Sequence, residues 1–67
     1  MNKSLLRSFM VLHGDTNRSL SDFLRISEQS LSNKINGNGT EFRQGEIARI
    51  SRRYRLSADQ IEAIFFS

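Results

Sequence analysis

The chain has no cysteine, no proline and no tryptophan, and a single histidine among its 67 residues. Without cysteine there is no disulfide framework and no thiolate-ligated zinc or iron site. One histidine rules out a multi-histidine metal centre. Without proline, no helix is interrupted from within. Glycine is confined to Gly14, Gly37, Gly39 and Gly45. No apolar run approaches the roughly 20 residues of a membrane span, and the N-terminus lacks the pattern of a signal peptide, so no membrane association and a cytoplasmic location are expected. In that setting the glycosylation patterns at Asn2-Lys3-Ser4 and Asn17-Arg18-Ser19 carry no meaning. The chain is short for an enzyme, and no acid–base pair, activated nucleophile or metal cluster has a recognisable arrangement, so neither catalysis nor a cofactor is expected.

What is present is positive charge and helical spacing. Ten Lys and Arg oppose seven Asp and Glu, for a net charge of +3. Arg25, Arg43, Arg49, Arg52, Arg53 and Arg55 crowd the middle and second half. A basic balance favours a polyanionic partner such as nucleic acid, though weakly by itself. Apolar types make up 37% of the residues. A chain of this size buries only about 60% of its unfolded surface, which implies one domain over residues 1–67 with a small core.

Apolar residues recur at helical intervals almost throughout, with no internal repeat. Leu5, Leu6, Phe9, Met10 and Leu12 form the stripe of a first helix ended by Gly14, with His13 at its edge, packed or half-exposed. Thr16 caps a second helix carrying Leu20, Phe23 and Leu24. Ser27 caps a third with Leu31 and Ile35. Residues Asn36 to Thr40 form a turn-rich loop. A fourth helix runs from about Gln44 to Tyr54 with Ile47, Ile50 and Tyr54 inward and Arg49, Arg52 and Arg53 on the opposite arc. Ser57 and Gln60 make a capping box for a fifth helix that buries Ile61, Ile64 and Phe65. Five short amphipathic helices without a strand pattern predict a compact all-α bundle.

The segment Asn17 to Gly37, NRSLSDFLRISEQSLSNKING, is the informative one. It predicts two helices joined by a tight turn, with Ser21 where their axes approach and Ile26 plugging the corner. Through Leu20-Ser21, Leu24, Ile26-Ser27, Leu31-Ser32 and Asn36-Gly37, and through one helix before this unit and two after, the chain resembles the Cro/repressor-type helix-turn-helix family of phage and bacteria, with the lambda-repressor-like fold. It looks closest to small phage regulators that consist of the DNA-binding domain alone.

The resemblance implies that the third helix lies in the major groove of a double-stranded DNA operator. A helical wheel points the same way. Gln29, Ser32 and Asn33, with Asn36 just beyond, oppose Leu31 and Ile35, and this face is polar and almost uncharged. Amides suit base edges, since Gln or Asn can pair bidentately with adenine. Glu28 favours the helix dipole and repels phosphate unless it accepts from a cytosine amine; the family reads bases at this position. Backbone contacts are expected from Thr16, Asn17 and Arg18 at the start of the second helix, from the loop through Asn36, Asn38 and Thr40, and from Lys34 and Arg43. The Arg49, Arg52 and Arg53 arc reads either as a solvated face or as a further DNA contact.

Four positions depart from the family pattern. Arg25 stands where glycine is usual; if that position requires a positive φ, Arg costs roughly 1 kcal/mol relative to Gly. Lys34 occupies an often apolar inward position, so its stem is expected to pack while its amine reaches water or DNA. Arg43 replaces a capping Thr or Ser, and Gly45 weakens the following turn. The expected function is sequence-specific transcription regulation by a repressor or Cro-like protein, binding a near-palindromic site as a weak homodimer formed or strengthened on DNA. Phe66, off the stripe of the fifth helix, is either folded back on the first helix or exposed for a partner subunit. The competing expectation is a protein-interaction module, an antirepressor or modulator of another regulator, which calls for exposed apolar residues on the third helix.

Overall fold

The helices begin where short polar side chains can answer orphan amides. In the computed structural model, which describes residues 1–67, α1 spans Lys3–Leu12, α2 Asn17–Leu24, α3 Glu28–Asn36, α4 Gln44–Tyr54 and α5 Ala58–Phe65. Asn2, Thr16, Ser27 and Ser57 each accept the amide three residues on, contributing about 1 kcal/mol apiece. Arg43 cannot accept. At α4 the Glu46 carboxylate instead reaches back to the Arg43 amide at 2.8 Å. Asn2 as the cap of α1 was not read from the sequence.

Three helices stop on a residue in the left-handed region, Arg25 (φ 59°), Gly37 (φ 71°) and Arg55 (φ 52°), and α1 is followed by His13 and then by left-handed Gly14 (φ 72°). Arg25 therefore does occupy the strained position. Its N–H donates to Asp22 O and the next N–H, of Ile26, to Ser21 O, closing a Schellman motif. Arg55 and Leu56 repeat this arrangement on Arg52 O and Ser51 O. Arg25-Ile26-Ser27 and Arg55-Leu56-Ser57 are thus the same connection used twice: a left-handed arginine, an apolar residue packed on the core, and a serine that caps the next helix.

The core is Leu6, Met10, Leu20, Leu24, Leu31, Ile35, Ile50, Tyr54 and Ile64, flanked by half-buried Leu5, Phe9, Phe23, Ile26, Phe42, Leu56 and Phe65. Ser21 is buried with them, and its hydroxyl donates to Arg18 O at 2.8 Å, so close packing of α2 and α3 leaves no unmet polar group. α2 packs chiefly on α3, while α1 and α4 both pack on α5. The Asn2 amide ties α1 to Ile64 O at 2.7 Å. Dimensions of 27 × 25 × 21 Å show a rounded body with no protruding helix.

The α1 stripe needs a correction. Leu12 is 74% exposed, because it lies in the last turn, where no other helix faces it. His13, also exposed, stacks on Tyr54 with ring centroids 4.9 Å apart. Phe66 is 67% exposed and does not fold back on α1. Phe42, not anticipated as a packing residue, meets Phe65 edge-on at 5.6 Å. No helix is long and apolar enough to cross a membrane.

Candidate functional site

Two buried side chains four residues apart, Leu31 and Ile35, fix which side of α3 faces outward. The outward residues are Glu28 and Gln29, both exposed, the half-exposed Ser32 and Asn33, and Asn36 at the C-terminal end. Their polar groups are paired along the helix. Gln29 Nε2 donates to Asn33 Oδ1 at 3.1 Å, and Asn36 Nδ2 to Ser32 Oγ at 3.4 Å. Each contact spans one helical turn, so two short amide–polar pairs hold the face in register while leaving further donors and acceptors free. No large apolar side chain on α3 is exposed.

A shallow depression lies on each side of this face. The first gathers Arg7, Asp15, Thr16, Asn17, Arg18 and Glu28, so that α3 begins beside the α2 N-terminus. Thr16 is already spent there: its Oγ1 accepts from Ser19 N at 3.1 Å and its amide donates to Ser19 Oγ at 2.9 Å. Asn17 and Arg18, in the first turn, keep amides open to an anion. Arg7 is the cation that sequence reasoning missed. Its α1 position gave no hint, since only the packing of α1 beside α2 brings it here.

The second depression gathers Asn33, Lys34, Thr40, Arg43 and Glu46. Arg43 is exposed and its guanidinium makes no internal bond. Thr40 is half-buried, whereas Asn38 is exposed and caps α3 through its amide on Asn33 O at 2.9 Å. Lys34 departs from expectation. Its amine, with the side chain only 9% exposed, sits 3.2 Å from Glu46 Oε1 and donates to Glu41 O at 3.2 Å. An amine held by a carboxylate and a carbonyl is not extended toward water or a ligand, because releasing it would give up both contacts and leave Glu46 with the Arg43 amide alone.

In the arginine arc of α4, which lies outside these depressions, Arg49 and Arg53 are held by the fold while Arg52 is exposed and unbonded. Arg53 grips Asp15 through Nε and Nη2, both at 2.7 Å, and Arg49 Nη2 donates to Phe23 O at 2.6 Å. Both guanidiniums stack on the Phe23 ring, at 4.9 Å for Arg49 and 4.5 Å for Arg53. Asp15 accepts two further bonds, from Tyr54 Oη and Ser19 Oγ, each at 2.7 Å. The Arg53 guanidinium holds the Asp15 carboxyl well below the usual carboxylate range, against the opposing effect of burial. Burial first, and Asp15 second, push the Tyr54 phenol above its ordinary value. These bonds set the α1–α2 connection, and with it the α2 N-terminus, against α4. No group of three or more His, Cys, Asp or Glu side chains converges to hold a metal ion.

No family model, curated protein or solved structure matches this chain.

Proposed function

We propose that this chain is a sequence-specific double-stranded DNA-binding regulator with a lambda-repressor-like helix-turn-helix, in which α2 braces and α3 enters the major groove. The observation that carries the proposal is the outward face of α3. Gln29, Ser32, Asn33 and Asn36 present amides and a hydroxyl with no lysine, no arginine and no exposed apolar group among them. A merely solvated helix face gains nothing from that composition, whereas base edges in the major groove match it. Support comes from what flanks the face: open α2 amides with Arg18 and Arg7 on one side, Thr40 and Arg43 on the other. Phosphates run on either side of a groove, so cations there and amides between them suit a duplex.

In this proposal Gln29, Asn33 and Ser32 read bases, with Glu28 beside them. Asn17, Arg18, Arg7, Arg43 and the loop of Asn36, Asn38 and Thr40 hold the backbone, and Lys34 supports the fold. The protein works in the cytoplasm as a phage-type repressor or Cro-like regulator, and two copies pair weakly on a near-palindromic site, Phe66 being available for the contact. Its exposed large apolar residues, Met1, Val11, Leu12 and Phe66, all lie off α3, which favours DNA over a protein partner at that helix. Selection of bound sequences from a random duplex library tests the proposal: enrichment of a palindrome supports it, and recovery of unenriched sequence refutes it.

A further inference from the structure

We propose that the seam between α2 and α4, where Arg49 and Arg53 stack on the Phe23 ring, docks an acidic segment of a partner protein, with the exposed Arg25 at the end of α2 and Arg52 next to Arg53 on α4 adding to its charge. None of these arginines belongs to the α3 face, so this surface is independent of the DNA proposal.

Three observations support it. First, two guanidiniums share one ring. Arg49 and Arg53 both stack on Phe23, and each is locked by a second bond, to Phe23 O and to Asp15. A ring attracts one cation, but a second brought to it meets repulsion from the first. Asp15 neutralises Arg53, so the free charge fixed at the ring is that of Arg49, whose rotamer entropy is already lost before any partner arrives. Arg49 keeps most of its five N–H donors free for a carboxylate.

Second, Arg25 stands at φ 59°, where glycine fits without strain. Its side chain is exposed and makes no hydrogen bond or ion pair, so the fold itself does not use it. It lies two residues beyond Phe23, whose carbonyl holds Arg49. Arg55 takes the same conformation at the end of α4, so the strain alone marks no site; Arg25 is distinguished by its place beside Phe23 in the chain. Arg52, one turn from Arg49 on α4, is likewise exposed and unbonded.

Third, the charges cancel only in part. The carboxylates here are Asp15 and Asp22. Asp15, its side chain 4% exposed, neutralises Arg53, which leaves Arg25, Arg49 and Arg52 without an ion-pair partner and Asp22 as the exposed carboxylate of α2. Arginine beside a half-exposed aromatic ring is the composition of protein-binding hot spots. A surface for DNA backbone has no need of a phenylalanine at its centre. The matching occupant carries carboxylates for bidentate pairing and an apolar side chain to cover Phe23.

The probe is a synthetic peptide of about twelve residues, glutamate and aspartate with two phenylalanines, titrated into isotope-labelled protein at low salt. Amide shifts are expected at residues 22–26 and 48–54. Arg25→Gly combined with Arg52→Ser should weaken the peptide roughly tenfold or more. Arg25→Gly relieves backbone strain, so it should raise the melting temperature while lowering affinity, and that opposition excludes unfolding as the cause. Binding of a selected DNA site should be unchanged in the double variant. The proposal is overturned if the peptide shifts α3 and Thr16–Arg18 instead, if the double variant binds it as well as the parent, or if a random-sequence duplex shifts the seam more strongly than the peptide does.

Discussion

Tyr54 donates its hydroxyl to Asp15 Oδ2 at 2.7 Å, joining positions 39 residues apart in the chain. With Arg53 and Ser19 on the same carboxylate, this contact anchors the α2 N-terminus. Asp15→Ala strands the Tyr54 hydroxyl and frees Arg53, and should cost about 2–4 kcal/mol. Urea denaturation measures it; a loss below about 0.5 kcal/mol would show that Asp15 carries no such weight.

The same network gives stability a pH window. Folding lowers the Asp15 pKa, so its contribution is full above the unfolded value of about 3.9 and fades as pH falls through that value and below. Folding raises the Tyr54 pKa, so its contribution is full below the unfolded value of about 10 and is lost as pH rises past it. Urea midpoints across pH should therefore form a plateau between acid and alkaline falls. Asp15→Asn should flatten the acid fall.

Arg25→Gly and Arg55→Gly should each stabilise the fold by roughly 0.5–1 kcal/mol, since both positions are left-handed and neither side chain is bonded. In a domain this small that is a rise of several degrees. The two turns are separate, so the effects should add. A fall in melting temperature for either variant would mean its side chain supports the fold.

Base reading and backbone gripping should separate. Gln29→Ala or Asn33→Ala should cost about 1–3 kcal/mol on a selected site while leaving random DNA nearly unaffected. Because the two amides bond each other, the double variant should fall short of the summed losses. Arg18→Ala or Arg7→Ala should weaken both DNAs and lower the salt slope by about one counterion. Binding of each variant to selected and scrambled duplexes over a salt series distinguishes these effects.

Lys34→Met should leave that salt slope unchanged, because the amine is held by Glu46 and Glu41. A slope reduced as far as that of Arg18→Ala would show that Lys34 leaves Glu46 to meet phosphate.

The sequence by itself determined where three of the helices start and two of them stop. Thr16, Ser27 and Ser57 cap their helices by contacts three residues long, and Gly14 and Gly37 end theirs by local backbone freedom, so each signal is complete within one turn of chain. The outward face of α3 was legible for the same reason: Leu31 and Ile35 fix the rotation of the helix, and Gln29 and Asn33 follow from geometry alone. Tertiary structure decided everything that depends on which surfaces meet. Leu12 has the right spacing for the core but no helix opposite it. Lys34 has an inward position from which its amine could reach water or DNA, but α4 places Glu46 beside that amine. Arg53 reaches Asp15 across 38 residues and Arg49 reaches Phe23 across 26, so two cations that composition assigns to solvent become fixed parts of the surface. Charge and periodicity show that a residue is polar and on which side of its own helix it stands. Whether it meets water, a carboxylate or another helix depends on chain that lies far away in sequence.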